Sequence, residues 1–224
     1  MVTNRFFDRA DAGRQLVRAL QQYAGRADVV VLALPRGGVP VAYQVAQSLD
    51  MPLDVLVVRK LDAPCNPELA MGAIASSGAV YLQHSVIMSM GATVAQLAEE
   101  IGRGTAELKR RDTLYRGVRQ PVPVEGCTVI VVDDGIATGA SMRVALQVLR
   151  ERCPAHVVVA APVSPVGIED KLKDLADAFV VLSHPVPFCG ISQIYVHFEQ
   201  VEDDEVQRLL DAADSGSDGG VSPM

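Results

Sequence analysis

Asp133 and Asp134 stand side by side at the end of an apolar run, Val129-Ile130-Val131-Val132, and lead directly into Gly135-Ile136-Ala137-Thr138-Gly139-Ala140-Ser141-Met142. Where such a strand gives way to a helix, the N–H groups of residues 137 to 141 lack partners within the helix and form a site for an anion. Thr138 and Ser141 add hydroxyl donors, while Gly135 and Gly139 allow a closer approach of backbone to ligand than a Cβ would permit. Two carboxylates one step before that cradle would repel a phosphate, yet they suit vicinal hydroxyls. The string therefore asks for a sugar phosphate, with the phosphate in the turn and the diol on the acids. The plainer alternative is a strand running into a capped helix, with Asp134 or Thr138 as cap and turn residues.

A second turn with anion chemistry is Pro35-Arg36-Gly37-Gly38, at the end of another apolar run. Gly37 and Gly38 expose amides, and Arg36 sets a fixed cation beside them. Lys60 closes a third run and reads equally well as a solvated strand-end lysine. Other chemistries are missing from the sequence. There is no G-x-x-x-x-G-K-[ST] and no G-x-G-x-x-G after a strand. The four cysteines (Cys65, Cys127, Cys153, Cys189) are far apart, without zinc spacing, and read as buried or free thiols. No nucleophile–base pair is apparent, which argues against a general sugar-phosphate hydrolase.

These residues need a scaffold, and the apolar pattern supplies one. Val29 to Leu34, Leu53 to Val58, Thr128 to Val132, His156 to Ala161 and Ala178 to Leu182 read as five strands, the first wholly apolar and β-branched as a strand covered on both faces must be. Helices are predicted over 10–23, 39–49, 139–150 and near 165–175. Alternation of this kind argues for an α/β fold, an open parallel five-stranded sheet flanked by helices, with right-handed crossovers. Two segments interrupt it: a hairpin over 72–82 around Ser77-Gly78, and a long polar helix over 93–118 carrying Arg103, Lys109, Arg110, Arg111 and Arg116. An insertion of this size, about 84–120, is often a lid or binding arm. Ile194-Tyr195-Val196-His197-Phe198 alternates like a strand, which puts Tyr195 and Phe198 on opposite sides. One of them could stack on a ligand ring, although a packing role suits each better.

The chain has 224 residues, is 49% hydrophobic and 21% charged, and has a mean hydropathy of +0.22, enough for one large α/β domain. No apolar run approaches the roughly 18 residues of a membrane span, and no signal peptide is apparent, so a cytoplasmic protein is expected. Residues 199 to 218 hold eight acids against Arg208, which accounts for the whole net charge of −7 and leaves the remainder neutral. That balance lacks the basic footprint of a nucleic-acid binder. A single domain over 1–212 is expected, with 213–224 as a disordered tail.

The segment around Asp133 and Asp134 resembles the phosphoribosyl-diphosphate (PRPP) motif of the type I phosphoribosyltransferases. Phe7-Asp8-Arg9-Ala10-Asp11-Ala12-Gly13, Leu34-Pro35-Arg36-Gly37-Gly38-Val39-Pro40-Val41 and Arg59-Lys60-Leu61 look like one branch of that family, for which no acceptor is assigned. The resemblance runs from about Phe7 to Glu205. It implies a flexible loop over the site and a C-terminal hood, about 183–212, that selects the acceptor. By the same resemblance, Asp133 and Asp134 hold the ribose hydroxyls and Gly135, Ile136, Ala137, Thr138, Gly139, Ala140 and Ser141 hold the 5′-phosphate. Arg36, Gly37, Gly38 and Lys60 then take the pyrophosphate, and Asp133, Asp134, Arg36 and Lys60 are the catalytic set. A cis peptide is implied between Pro35 and Arg36. The cofactor would be Mg²⁺, on phosphate and ribose oxygens with Asp133 or Asp134 reaching it directly or through water. Lys109, Arg110 and Arg111 are candidates to close onto the pyrophosphate.

The implied reaction moves the phosphoribosyl group of PRPP to a nitrogen heterocycle and releases pyrophosphate. A homodimer is left open, and no membrane or nucleic-acid partner is expected. Ala137 sits where 6-oxopurine transferases carry an acid, so hypoxanthine and guanine are poor acceptors on this reading unless Glu199 or Glu202 substitutes. Cys65-Asn66-Pro67-Glu68-Leu69-Ala70 also resembles the branch, with Glu68 alternatively an acid at a helix start. The rival reading is a non-catalytic PRPP sensor that kept the motif without the chemistry.

Overall fold

The computed structural model describes residues 5–63, 66–117 and 119–217. In chain order the elements are α1 (Arg9–Ala19), β1 (Val29–Ala33), α2 (Gly38–Leu49), β2 (Leu53–Val55), β3 (Val58–Ala63), β4 (Asn66–Ala75), β5 (Val80–Leu82), α3 (His84–Ser89), α4 (Val94–Arg116), β6 (Thr128–Val132), α5 (Ala140–Arg150), β7 (His156–Val163), α6 (Ile168–Leu172), β8 (Ala178–Ser183) and α7 (Asp203–Ser217). Short 3₁₀ turns occupy Gln21–Tyr23 and Ile191–Ile194.

Five strands form one parallel sheet in the order β2-β1-β6-β7-β8. Alternate side chains of β1 and β6 enter two different cores, as a period of two requires. Val31, Ala33, Ile130 and Val132 face α1, α2 and α7, while Val30, Leu32, Val129 and Val131 face α5, α6 and the second sheet. The chain leaves β1 in one direction to make β2 and in the other to make β6, β7 and β8. The carboxyl ends of β1 and β6 are therefore the switch point, where such sheets leave a crevice for ligands.

The sequence reading needs correction at four places. The strand expected over 53–58 ends at Val55, because β3, β4 and β5 form a separate antiparallel sheet in which Lys60 pairs with Ala73 and Gly72 with Leu82. The hairpin is present, but it is part of this larger unit, and Glu68 belongs to strand β4 rather than to a helix start. Residues 194–198 are not a strand: a 3₁₀ turn precedes a single parallel bridge between Tyr195 and Phe6. Finally, the tail expected from 213 begins inside α7, whose Val206 and Leu210 are buried in the core, and residues 218–224 lie outside the described residues. Of the cysteines, Cys127, Cys153 and Cys189 are free thiols, and Cys65 lies outside the described residues.

The long helix of the insertion is capped at its start and anchored at its end. Thr93 caps α4 in a reciprocal pair with Gln96. At the other end Arg116 is buried against Asp54 of β2, with Nε and Nη2 at 2.8 and 3.1 Å from its two carboxylate oxygens. Asp54 also accepts the N–H groups of Val55 and Val122. This is a fixed strut rather than a free arm.

Candidate active site

Two loops meet at the switch point. The first leaves β1 as Leu34-Pro35-Arg36-Gly37, with Leu34 N donating to Val132 O of the neighbouring strand at 2.9 Å. The Pro35–Arg36 peptide is cis, in agreement with the sequence expectation. The second loop leaves β6 as Asp133 to Gly139. Close contact between them explains both glycines. A Cβ on Gly37 would lie 2.1 Å from Asp134 Oδ2, and one on Gly38 would lie 2.6 Å from Val132 O and 3.3 Å from Asp133 Oδ1.

Beyond the acids the chain turns tightly. Ile136 N donates to Val163 O, Gly139 takes a left-handed conformation with φ of 84°, and α5 starts at Ala140. Thr138 Oγ1 accepts from Ala140 N at 3.3 Å. Ala137, Thr138, Ala140 and Ser141 line this helix start, Ala137, Thr138 and the first turn of the helix opening to solvent, so the expected anion cradle is accessible.

Asp133 is partly exposed, and its Oδ1 accepts the N–H of Asp134 at 2.8 Å. Burial, and then the neighbouring Asp134 charge, hold the Asp133 carboxyl well above the usual carboxylate range. Asp134 is buried, which raises it also, against the opposing pull of a cation that sequence reasoning missed. That cation is Arg9, at the first position of α1, whose Nε donates to Asp134 Oδ2 at 2.7 Å. Tyr195 reaches the same residue from the hood, donating its hydroxyl to Asp134 O at 2.7 Å. Burial pushes the Tyr195 phenol strongly upward, so it remains a donor. Tyr195 and Phe198, expected on opposite sides, stack with centroids 4.9 Å apart. The signal for Arg9 was its place in the Phe7 to Gly13 segment, but nothing in local spacing joins it to a partner 125 positions away.

Beside the two loops lies a cavity of about 610 Å³, bordered by Arg36, Lys60, Arg110, Arg111 and Ser141. Lys60 arrives from the second sheet rather than from the main sheet's edge, and pairs with Asp62 at 3.1 Å. Of the cations on α4, Arg110 and Arg111 border the cavity, whereas Arg103 pairs with Glu100 and Arg116 is committed to Asp54. Arg36 Nη1 lies 3.7 and 3.6 Å from Glu202 and Asp203, and Asp203 also accepts the hydroxyl of Tyr115. Among the described residues no cluster of His, Cys, Asp and Glu is arranged to hold a metal by itself. No helix among them is long and apolar enough to cross a membrane.

The structure does contain a serine–histidine contact, between Ser164 Oγ and His184 Nδ1 at 3.1 Å, with Glu169 3.5 Å beyond His184. Ser164 is wholly buried and has Pro165 O as a second contact. A nucleophile closed to solvent cannot meet a substrate, so the pair ties the end of β7 to the end of β8.

Comparison with known proteins relates the chain to a family. A family model described as "Phosphoribosyl transferase domain" matches residues 6–193. The chain is 46% identical over 208 residues to "Putative phosphoribosyl transferase MT0597" and to "Putative phosphoribosyl transferase Rv0571c", from two strains of Mycobacterium tuberculosis. The match covers 93% of this chain and 47% of each relative, so the chain spans about half the length of these curated relatives. The crystal structure of TT1426 from Thermus thermophilus is 42% identical, covers 92% of this chain and 97% of its own, and superposes with a TM-score of 0.83.

Proposed function

Because the chain belongs to the phosphoribosyl transferase domain family, we propose that it binds PRPP with Mg²⁺ and transfers the phosphoribosyl group to a nitrogen-containing acceptor with release of pyrophosphate. The observation that carries this reading is the meeting of the Asp133-Asp134 loop with the Arg36-Gly37-Gly38 turn, beside a cavity bordered by four cations. Asp133 and Asp134 accept from the ribose hydroxyls, and the start of α5 with Thr138 and Ser141 takes the 5′-phosphate. The pyrophosphate points toward Arg36, Gly38 and Lys60. On this reading the anomeric carbon lies at the mouth of the crevice.

Displacement at that carbon leaves little covalent work for the protein. Its residues position the reactants, stabilise charge on the departing group and exclude competing water. Arg36 and Lys60 are the electrostatic partners of the leaving group. Arg110 and Arg111 add to them from α4 without a large closure, since that helix is anchored through Arg116. Carboxylate oxygens are the hard donors that magnesium prefers, and Asp133 Oδ1 lies against the Gly38 turn, so the residues present fit the ion. Mg²⁺, when bound, supplies positive charge to the pyrophosphate, and Asp133 and Asp134 would hold it directly or through water.

Ala137, exposed at the loop, offers no group to manage a proton on a purine ring. Positioned acids and bases contribute about 10²–10⁴-fold. Glu202, one of the two hood carboxylates able to take over that task, is instead oriented toward Arg36. Guanine and hypoxanthine are therefore expected to be poor acceptors.

A pyrophosphate-release screen with PRPP, Mg²⁺ and a panel of purines, pyrimidines and other nitrogen heterocycles tests the proposal. Turnover with a non-purine acceptor supports it. PRPP binding without turnover on any acceptor would favour a sensor, and absence of PRPP binding would reject the assignment.

A further inference from the structure

Arg9 opens a helix, the position where a cation is least welcome, because the unpaired N–H groups and the helix dipole are positive there. Its presence therefore calls for a reason outside α1. Its side chain is only 13% exposed and that of Asp134 11%. Nε donates to Asp134 Oδ2 at 2.7 Å, Nη1 donates to Glu199 O at 2.6 Å, and the guanidinium carbon lies 3.9 Å from the centre of the Phe198 ring. Phe198 stacks in turn on Tyr195, which holds the Asp134 carbonyl.

The N-terminal segment and the hood are joined at the same place. Phe6 N donates to Ile194 O at 2.8 Å, Val196 N to Phe6 O at 2.9 Å and His197 N to Phe7 O at 2.9 Å. Asp134 is thus held at its carboxylate and at its carbonyl by one cluster, with Gly37 against the carboxylate. Asp133 has no such clamp among the described residues, and it is partly open to solvent.

We propose that Arg9 is a positioning residue for the ribose site: by taking Oδ2 it aims Oδ1 of Asp134 at the sugar diol and ties that aim to the position of the hood. This rests on the PRPP reading above and deepens it. The two acids then differ in task, Asp134 being a pre-set acceptor and Asp133 the adaptable one. A planar guanidinium suits the post because it donates in two directions and lies flat on an aromatic ring at once. The ammonium of a lysine keeps the charge and loses the plane.

Calorimetry on the full chain with Mg²⁺ tests this with three probes: PRPP, ribose 5-phosphate and inorganic pyrophosphate. Arg9→Met is expected to weaken PRPP and ribose 5-phosphate by about tenfold or more, the scale of a lost charge-assisted hydrogen bond, and to leave pyrophosphate within about twofold. Arg9→Lys recovers part of the loss, and Phe198→Leu shows a smaller loss of the same pattern. A merely structural role would lower the melting temperature and weaken all three probes alike, or weaken none, and either result overturns the inference. If Arg9→Met does not fold, the comparison is read on Arg9→Lys and Phe198→Leu with the same criteria. Failure of the wild-type protein to bind PRPP would overturn the underlying reading and the inference with it, whereas wild-type binding that Arg9→Met leaves intact overturns the inference alone.

Discussion

Replacing Gly37 by alanine adds one methyl group where two loops of the site touch. The new Cβ would lie 2.1 Å from Asp134 Oδ2 and 2.6 Å from its Cγ. Relief to an ordinary carbon–oxygen contact, about 3.3 Å or more, requires a separation greater by about 1 Å. A carboxylate on a flexible surface chain would swing away at little cost, but Asp134 is held by Arg9 at 2.7 Å and by Tyr195 at its carbonyl. Moving it by that much stretches the Arg9 contact beyond hydrogen-bond length. A lost hydrogen bond to a charged group costs about 1.5–3 kcal/mol, and overpacking alone costs about 1–3 kcal/mol. The two are routes to relieving one clash and do not add. At about 1.4 kcal/mol per decade, the expected result is a loss of PRPP affinity of about 5- to 150-fold. Calorimetry with Mg²⁺ measures it, and Gly102→Ala is the control, since its methyl meets open space on α4 and should leave affinity unchanged. An affinity for Gly37→Ala within about twofold of wild type would refute the argument that Asp134 is clamped.

Three further outcomes are expected. Asp54→Ala leaves Arg116 buried without its main partner and should cost about 3–5 kcal/mol, with a melting temperature lower by roughly 6–20 °C; Asp54→Leu combined with Arg116→Met should recover much of it, and an equal loss in both by thermal denaturation would contradict a buried-charge origin. Glu202→Gln with Asp203→Asn removes the carboxylates facing Arg36 and should tighten inorganic pyrophosphate by a few fold, an effect that fades at high salt as partly exposed pairs require; weaker binding in a salt titration would count against it. Tyr115, buried and bonded to Asp203, has its phenol pushed up to about 12, chiefly by burial. The unfolded chain would lose this proton near pH 10 and the folded chain only near 12, so the stabilisation is complete below pH 10 and is lost as pH rises toward 12, by of order 1–2 kcal/mol. Tyr115→Phe should flatten that part of the stability profile in urea titrations, and an unchanged slope would show that other groups set it.

The sheet was legible because burial on both faces leaves a plain mark. Runs such as Val29 to Ala33 and Thr128 to Val132 have almost no polar side to present, and the second ends where Asp133 begins. The second sheet was not, because Val58 directly follows the apolar run of β2 and the charges of Arg59, Lys60 and Asp62 come only after it. Leu61 and Ala63, buried at a spacing of two, were the available sign of a separate strand after β2. In α7, the run of acids drew attention from Val206 and Leu210, whose four-residue spacing marks one buried helical face. Alternation at 194–198 misled because the 3₁₀ turn ends at Ile194 and the residues after it form a single bridge rather than a strand, which lets Tyr195 and Phe198, three apart, stack on one another.

The same distinction separates the acids of the site from its cations. Asp133 and Asp134 come from one stretch of chain, together with the glycines and hydroxyls that surround them, so their chemistry could be read as a string. The cations converge from three elements: Arg36 from the end of β1, Lys60 from β3, and Arg110 and Arg111 from α4. No spacing in the sequence relates them: Arg36 is marked by the two glycines beside it, Lys60, Arg110 and Arg111 each look like ordinary surface charges, and the family resemblance alone groups the four. Their convergence depends on residues outside the cavity. Arg116 and Asp54 fix the end of α4 against β2, and the pairing of Lys60 with Ala73 fixes the face that β3 presents. Arg9 is the extreme case, a cation whose position at a helix start makes sense only once Asp134 is brought to it. On the proposed reading the string of acids names the ligand, and the packing of distant elements sets the geometry that receives it.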